Sequence, residues 1–236
     1  MFARVFRFLP FFGLLSLLIP GSAIAAISST FDSSTEGWTV VSFNSLSTSD
    51  YSVMGVYTPS HIATGGNPGG YIWTDDPDPS DFTFAAPASF LGNQAGSYGS
   101  PLSYDLIHWG APNYQTTDVM LVGTDGTRLL WERSPNIIPS TDGTWTHVNV
   151  VLKPSAQWLV GATNGAQASQ ANFQDVLGSL AGLYIRGEFV DGPENAGLDN
   201  VRLGSSPVPE PASILVWSLL GGLGVSFGWW RSRRTA

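Results

Sequence analysis

Asp118-Val119-Met120-Leu121-Val122-Gly123-Thr124-Asp125-Gly126-Thr127-Arg128-Leu129-Leu130-Trp131 decides how this chain folds. Two short runs of β-formers flank a connection centred on Asp125-Gly126. An Asp-Gly pair reaches the positive φ angles of a tight turn cheaply, so the stretch predicts a β-hairpin. Other runs repeat the pattern on both sides. Trp38 to Phe43, Leu102 to His108, Leu183 to Phe189 and Leu198 to Leu203 are rich in β-branched, aromatic and aliphatic residues. Trp145 to Leu152 alternates, with Val148, Val150 and Leu152 on one face. Runs of this length separated by turn residues predict an all-β domain of sandwich or jelly-roll type.

One segment departs from period two. Phe173, Val176, Leu177 and Leu180 recur at helical spacing, with Ser169 as the expected N-cap and Gly182 as the stop. A single short helix covering an open end of the core is expected. Residues 59–81, rich in Pro, Gly and Asp, read as a long loop interrupted by Tyr71-Ile72-Trp73.

The 236 residues include no cysteine, 10 Lys+Arg and 18 Asp+Glu. Disulfides, thiolate zinc sites and catalytic thiols are therefore excluded. A formal charge of −8 argues against nucleic-acid binding, which needs a basic surface. The apolar residues concentrate at the two ends. Residues 1–26 read as a secretory signal: Arg4 and Arg7, an apolar run from Phe8 to Pro20, and the small-x-small site Ala23-Ile24-Ala25. Residues 208–236 hold Pro209-Glu210-Pro211, then 19 uncharged residues at 212–230, then Arg231, Arg233 and Arg234. Nineteen helical residues cover about 28 Å, close to a bilayer's hydrocarbon thickness. The arginines would hold that end in the cytoplasm. Between the ends lies one domain, residues 27–207, with a formal charge of −12.

The tail, in its order of motif, apolar segment and basic cluster, resembles a PEP-CTERM sorting signal, with Pro209, Glu210 and Pro211 matching the motif. The resemblance implies a Gram-negative bacterium and an exosortase-type membrane protease as partner. It also implies a transient inner-membrane anchor, followed by delivery to the cell surface or an exopolysaccharide matrix. Flanking prolines keep Glu210 extended and helix-free, where a membrane enzyme could reach it.

The domain itself resembles the laminin B domain (laminin domain IV). The blocks that carry the resemblance run in order from Phe31-Asp32, Glu36-Gly37-Trp38 and Gly65-Gly66-Asn67-Pro68-Gly69-Gly70-Tyr71. They continue through Phe90-Leu91-Gly92-Asn93, Leu102-Ser103-Tyr104-Asp105-Leu106 and Phe173-Gln174-Asp175-Val176-Leu177. They end at Ile185-Arg186-Gly187-Glu188 and Leu198-Asp199-Asn200-Val201. The resemblance implies a jelly-roll β-sandwich similar to carbohydrate-binding modules, found in extracellular matrix proteins, with no catalytic residues to carry over.

Alternation places Asp199 on the face that Val201 and Leu203 also use. A carboxylate at the margin of a core needs compensation. Either a hard cation, calcium, bound with Asp32 and Glu36, supplies it, or Asp199 accepts backbone N–H bonds at a strand start. The cluster Asp75, Asp76, Asp78 and Asp81 lacks EF-hand spacing and reads as a solvated loop, with weak calcium binding as the alternative. Trp38 is expected in the core. Trp109 and Tyr114 flank a turn-rich loop and are the expected ligand contacts. Arg186 and Glu188 share a strand face and are expected to pair with each other or with neighbours. His61, His108 and His147 are scattered, and no nucleophile elbow or phosphate loop is present. The sequence therefore points to a non-enzymatic exported protein that binds exopolysaccharide. The alternatives are an adhesion protein binding other matrix proteins and, more remotely, a carbohydrate-active enzyme.

Overall fold

A computed structural model describes residues 26–109, 116–133 and 143–204. In chain order the strands are β1 (Ile27–Ser29), β2 (Thr39–Ser45), β3 (Asp50–Tyr57), β4 (Ser60–Gly66), β5 (Gly69–Asp75), β6 (Asp81–Ala85) and β7 (Pro101–Trp109). They continue with β8 (Val119–Gly123), β9 (Arg128–Trp131), β10 (Thr146–Val151), β11 (Leu159–Val160), the helix α1 (Gln170–Gly178), β12 (Leu180–Arg186) and β13 (Asn195–Leu203). All pairings between these strands are antiparallel. One sheet runs β10-β7-β13-β5-β4, with β1 also on β13; the other runs β11-β9-β8-β12-β6-β2-β3.

The two sheets close on one core. Leu102, Tyr104 and Leu106 of β7, Val148 and Val150 of β10, and Leu198, Val201 and Leu203 of β13 face Phe82 and Phe84 of β6, Val119 and Leu121 of β8, and Leu183 and Ile185 of β12. These core residues sit two apart along each strand, apart from the shift before Val201, and a second buried cluster of Val41, Phe43, Leu46, Ala85, Met120 and Leu130 covers part of the other face of the second sheet. The Asp125-Gly126 connection joins β8 to β9 as expected, with Gly126 at φ 85°. Trp38 is in the core, its rings edge-on to Phe31 and Phe90 and its Nε1–H bonded to Ser29 Oγ at 2.9 Å.

The helix starts at the expected N-cap. Ser169 Oγ accepts from Asn172 N, and Asn172 Oδ1 accepts from Ser169 N at 2.9 Å, a reciprocal capping box. It ends sooner than Gly182. Ser179 caps it, and Leu180 already belongs to β12, where it is buried. Phe173 packs edge-on to Trp158 and Tyr98, which ties the helix into the main core.

Residues 59–81 are not a long loop. They form the β4–β5 hairpin around Asn67-Pro68, followed by a short irregular stretch before β6. Glycines at 65, 66, 69 and 70 hid this hairpin, because they carry no side chains to alternate. No helix among the described residues is long and apolar enough to cross a membrane, and the expected span at 212–230 lies outside them.

Candidate functional site

The outer face of the β10-β7-β13-β5-β4 sheet gathers the residues with chemical interest. Register sets its rows. Asp199 of β13 lies opposite Asp105 of β7, which lies opposite His147 of β10. Gly197 lies between Ile107 of β7 and Trp73 of β5. Asn195 lies between Trp109 and Asp75.

Asp199 takes this outer face, not the face of Val201 and Leu203. The β13–β7 register shifts between Asp199 and Arg202, and Asn200 sits there at φ 49°. The extra residue reverses the alternation, as a β-bulge does. Asp199 is nonetheless fully buried, because the β4–β5 turn folds over it. Its Oδ2 accepts Asn67 N at 2.6 Å and its Oδ1 accepts Asn200 N at 2.7 Å. Burial first, with the charges of Asp105 and Asp32 adding, raises Asp199 to about 6 against those two hydrogen bonds.

The same turn collects further polar groups. Asn200 Nδ2 donates to Asn67 O at 2.5 Å and to Asp105 Oδ2 at 2.8 Å. Asn67 Nδ2 donates to Asp105 Oδ2 at 3.2 Å, and His147 Nδ1 lies 2.6 Å from Asp105 Oδ1. Asp32 Oδ1 accepts Gly70 N at 3.4 Å, so Asp32 and Asp199 approach one turn from two sides. Glycine is required here. A Cβ at Gly69 would lie 2.1 Å from Asp32 Oδ1, and one at Gly66 would lie 2.8 Å from Asp199 Oδ2. Glu36 is engaged elsewhere: its Oε1 accepts Thr30 N at 3.2 Å and Phe31 N at 2.7 Å. Among the described residues no three His, Asp or Glu side chains converge as a metal-ion cluster.

Beside this polar turn runs a chain of aromatic rings. Trp109 is 42% exposed and stands edge-on to Trp73 at 5.0 Å. Trp73 meets Tyr71 at 6.2 Å, and Tyr71 meets Trp145 at 5.3 Å. Trp145 Nε1 donates to Gly65 O at 3.0 Å, fixing that end. Gly197 makes room, since a Cβ there would lie 2.9 Å from the Tyr71 ring. Amphipathic rings on a strand face offer flat apolar surface, and the neighbouring carboxylates and amides can bond hydroxyl groups. The sequence picked out Trp109 from this group. Tyr114, its expected companion, and the motif Pro209, Glu210 and Pro211 lie outside the described residues. Trp73, Tyr71, Trp145, Asp105 and His147 join the face only through strand pairing. Their signal was period-two alternation on strands not yet aligned with one another.

Arg186 and Glu188 do not pair through their charged groups. Arg186 Nη1 lies 3.7 Å from Asp118 Oδ1, which also holds Arg133 Nη2 at 2.7 Å, and Arg186 Nε donates to the Glu188 carbonyl oxygen.

These features define an antiparallel sandwich whose wet face carries aromatic and acidic side chains. The chain belongs to the Laminin B (Domain IV) family, whose profile matches residues 83–215. Laminin-like protein lam-2 of Caenorhabditis elegans is 27% identical over 145 residues, which are 60% of this chain and 8% of that protein. The chain thus spans under a tenth of that relative's length. Among solved structures, the L4b domain of human laminin alpha-2 superposes with a TM-score of 0.58 at 13% identity, covering 77% of this chain and 99% of that domain. At that identity the likeness speaks for the fold.

Proposed function

We propose that this chain is an exported, non-catalytic binding protein whose jelly-roll-type sandwich holds an exopolysaccharide against the Trp109–Trp73–Tyr71–Trp145 face. The observation that carries the reading is the continuity of those four rings across three elements of one sheet face, with Trp109 exposed at its end. Sugar rings present C–H faces that pack on aromatic surfaces, and their hydroxyls suit the adjoining acids and amides. The signal at 1–26 and the tail at 208–236 would place the domain at the surface of a Gram-negative cell, through an exosortase-type protease acting near Pro209, Glu210 and Pro211. Asp32 and Asp199, with the backbone oxygens around Gly66, Gly69 and Gly70, would be the donors for a structural calcium ion. Loss of melting temperature on adding chelator is the expected sign of it. The test of the main reading is retention on exopolysaccharide and on a glycan array: wild type binds, and Trp109→Ala or Trp73→Ala releases it. An array blank for wild type would sink the reading.

A protein partner is the second reading. The strand β3, at the end of its sheet among the described residues, exposes Val53, Met54, Val56 and Tyr57 as an apolar surface. Binding to matrix protein that persists in Trp109→Ala but fails in Val56→Lys would favour it.

A further inference from the structure

Apart from the aromatic face, a cavity of about 740 Å³ opens between the β5–β6 and β12–β13 connections. Its walls include Asp76, Asp78, Asp81, Glu188 and Asp191, with Pro77, Pro79 and Pro193 as rigid apolar surface. Acidic side chains on a surface loop need no ligand. Glu188 is different, because it is only 6% exposed, lines the cavity, and its Oε2 makes no hydrogen bond. A buried carboxylate oxygen without a partner is costly and calls for a donor. The neighbouring basic groups are committed elsewhere: Arg186 and Arg133 both turn to Asp118. Behind Glu188, Glu194 spends Oε1 on the backbone of Phe189 and Val190 and leaves its buried Oε2 unbonded as well.

We propose that this cavity binds an organic cation bearing primary ammonium groups, with Glu188 as its buried acceptor. The acids at the mouth attract the charge, and the three prolines pack on the carbon skeleton between ammonium groups. The cavity volume suits a small molecule or a few sugar units better than a single ion. A lone metal ion fits poorly, because no three carboxylates among the described residues converge. Burial, followed by the charges of Glu194, Asp76 and Asp81, pushes Glu188 up to about 9, and a bound cation offsets the repulsion among these acids. A free polyamine and an amino-sugar polymer share the required ammonium chemistry.

The test is calorimetric titration of the full-length chain at pH 6.5, where the amines of both organic probes carry charge, with spermidine, with a fully deacetylated glucosamine hexamer, and with calcium chloride. One spermidine or hexamer site is expected, weakened roughly tenfold in Glu188→Gln by loss of a charge-assisted hydrogen bond. Spermidine binding identifies a free amine as sufficient, and hexamer binding alone identifies the saccharide as the source; either supports the proposal if it depends on Glu188. Asp76→Asn at the mouth gives the same readout should Glu188→Gln fail to fold. Trp109→Ala leaves this site unchanged, which separates it from the polysaccharide face. Heat from calcium alone, no heat from any of the three, or amine binding indifferent to both Glu188 and Asp76 overturns it.

Discussion

Asp105 and Asp199 face each other directly across the β7–β13 ladder, and Asn200 holds them there. Like charges in register repel. The fold offsets this with four donors: Asn67 N, Asn67 Nδ2, Asn200 N and Asn200 Nδ2. Asn200 also supplies the positive φ of the bulge, a conformation that Asn tolerates and Ala does not.

Two substitutions at Asn200 separate these roles. Asn200→Gly keeps the backbone angle and loses the side-chain bonds, at a cost of about 1–3 kcal/mol. Asn200→Ala adds about 1–2 kcal/mol of backbone strain. Thermal unfolding should therefore rank wild type above Gly above Ala. Equal melting of the Gly and Ala variants would show that the angle contributes nothing.

Asp118 accepts Arg133 Nη2 at 2.7 Å and Arg133 N at 2.6 Å, and all three of Asp118, Arg133 and Arg186 are buried. Both guanidinium groups stack on Phe189, at 4.3 Å for Arg186 and 5.4 Å for Arg133. Asp118→Ala removes the carboxylate that two buried guanidinium groups share, and a loss of about 3–5 kcal/mol in denaturant unfolding is expected. A loss below about 1 kcal/mol would mean that water reaches these groups.

Stability should fall as pH rises in buffer free of amines. Burial is the leading cause that lifts Glu188 to about 9 and Glu194 to about 7, from an ordinary 4.5. Both folded values exceed the unfolded ones, so the contribution is whole below about pH 4.5 and is lost as pH climbs through about 7 and then about 9. Melting temperature measured from pH 5 to pH 9 should decline in wild type. Glu188→Gln should flatten the decline above pH 7 and make it shallower below, where Glu194 still contributes. A wild-type curve that rises toward pH 9 would contradict this assignment.

The two tryptophans picked out for opposite roles should separate cleanly. Trp38→Ala empties a core site beside Phe31 and Phe90, at about 3–5 kcal/mol. Trp109→Ala removes a half-exposed ring and should cost on the order of 1 kcal/mol while abolishing polysaccharide retention. Comparable melting losses in the two variants would make Trp109 a packing residue.

The parts of this fold visible in the sequence are those with one wet and one dry face. Val148, Val150 and Leu152 alternate because β10 buries a single side, and Asp125-Gly126 marks its hairpin by backbone chemistry alone. The strand β3 gave no such signal, because as an edge strand it exposes most of both faces. Alternation gives the wrong face for Asp199 for a local reason: one residue, Asn200, in the left-handed region inverts everything before it. The site was half visible. A turn-rich neighbourhood flagged Trp109, whereas Trp73 and Tyr71 reach it from a strand more than thirty positions earlier in the chain, beyond any local pattern.

The short pairing of β1 with β13 sets Ile27 against Leu203. The first and last strands of the described sandwich therefore lie side by side. A domain with adjoining doorways can be spliced into a host loop without prying the host apart. Tension applied at Ile27 and Leu203 would open the three β1–β13 pairs one by one before it loads β13 against β7 and β5.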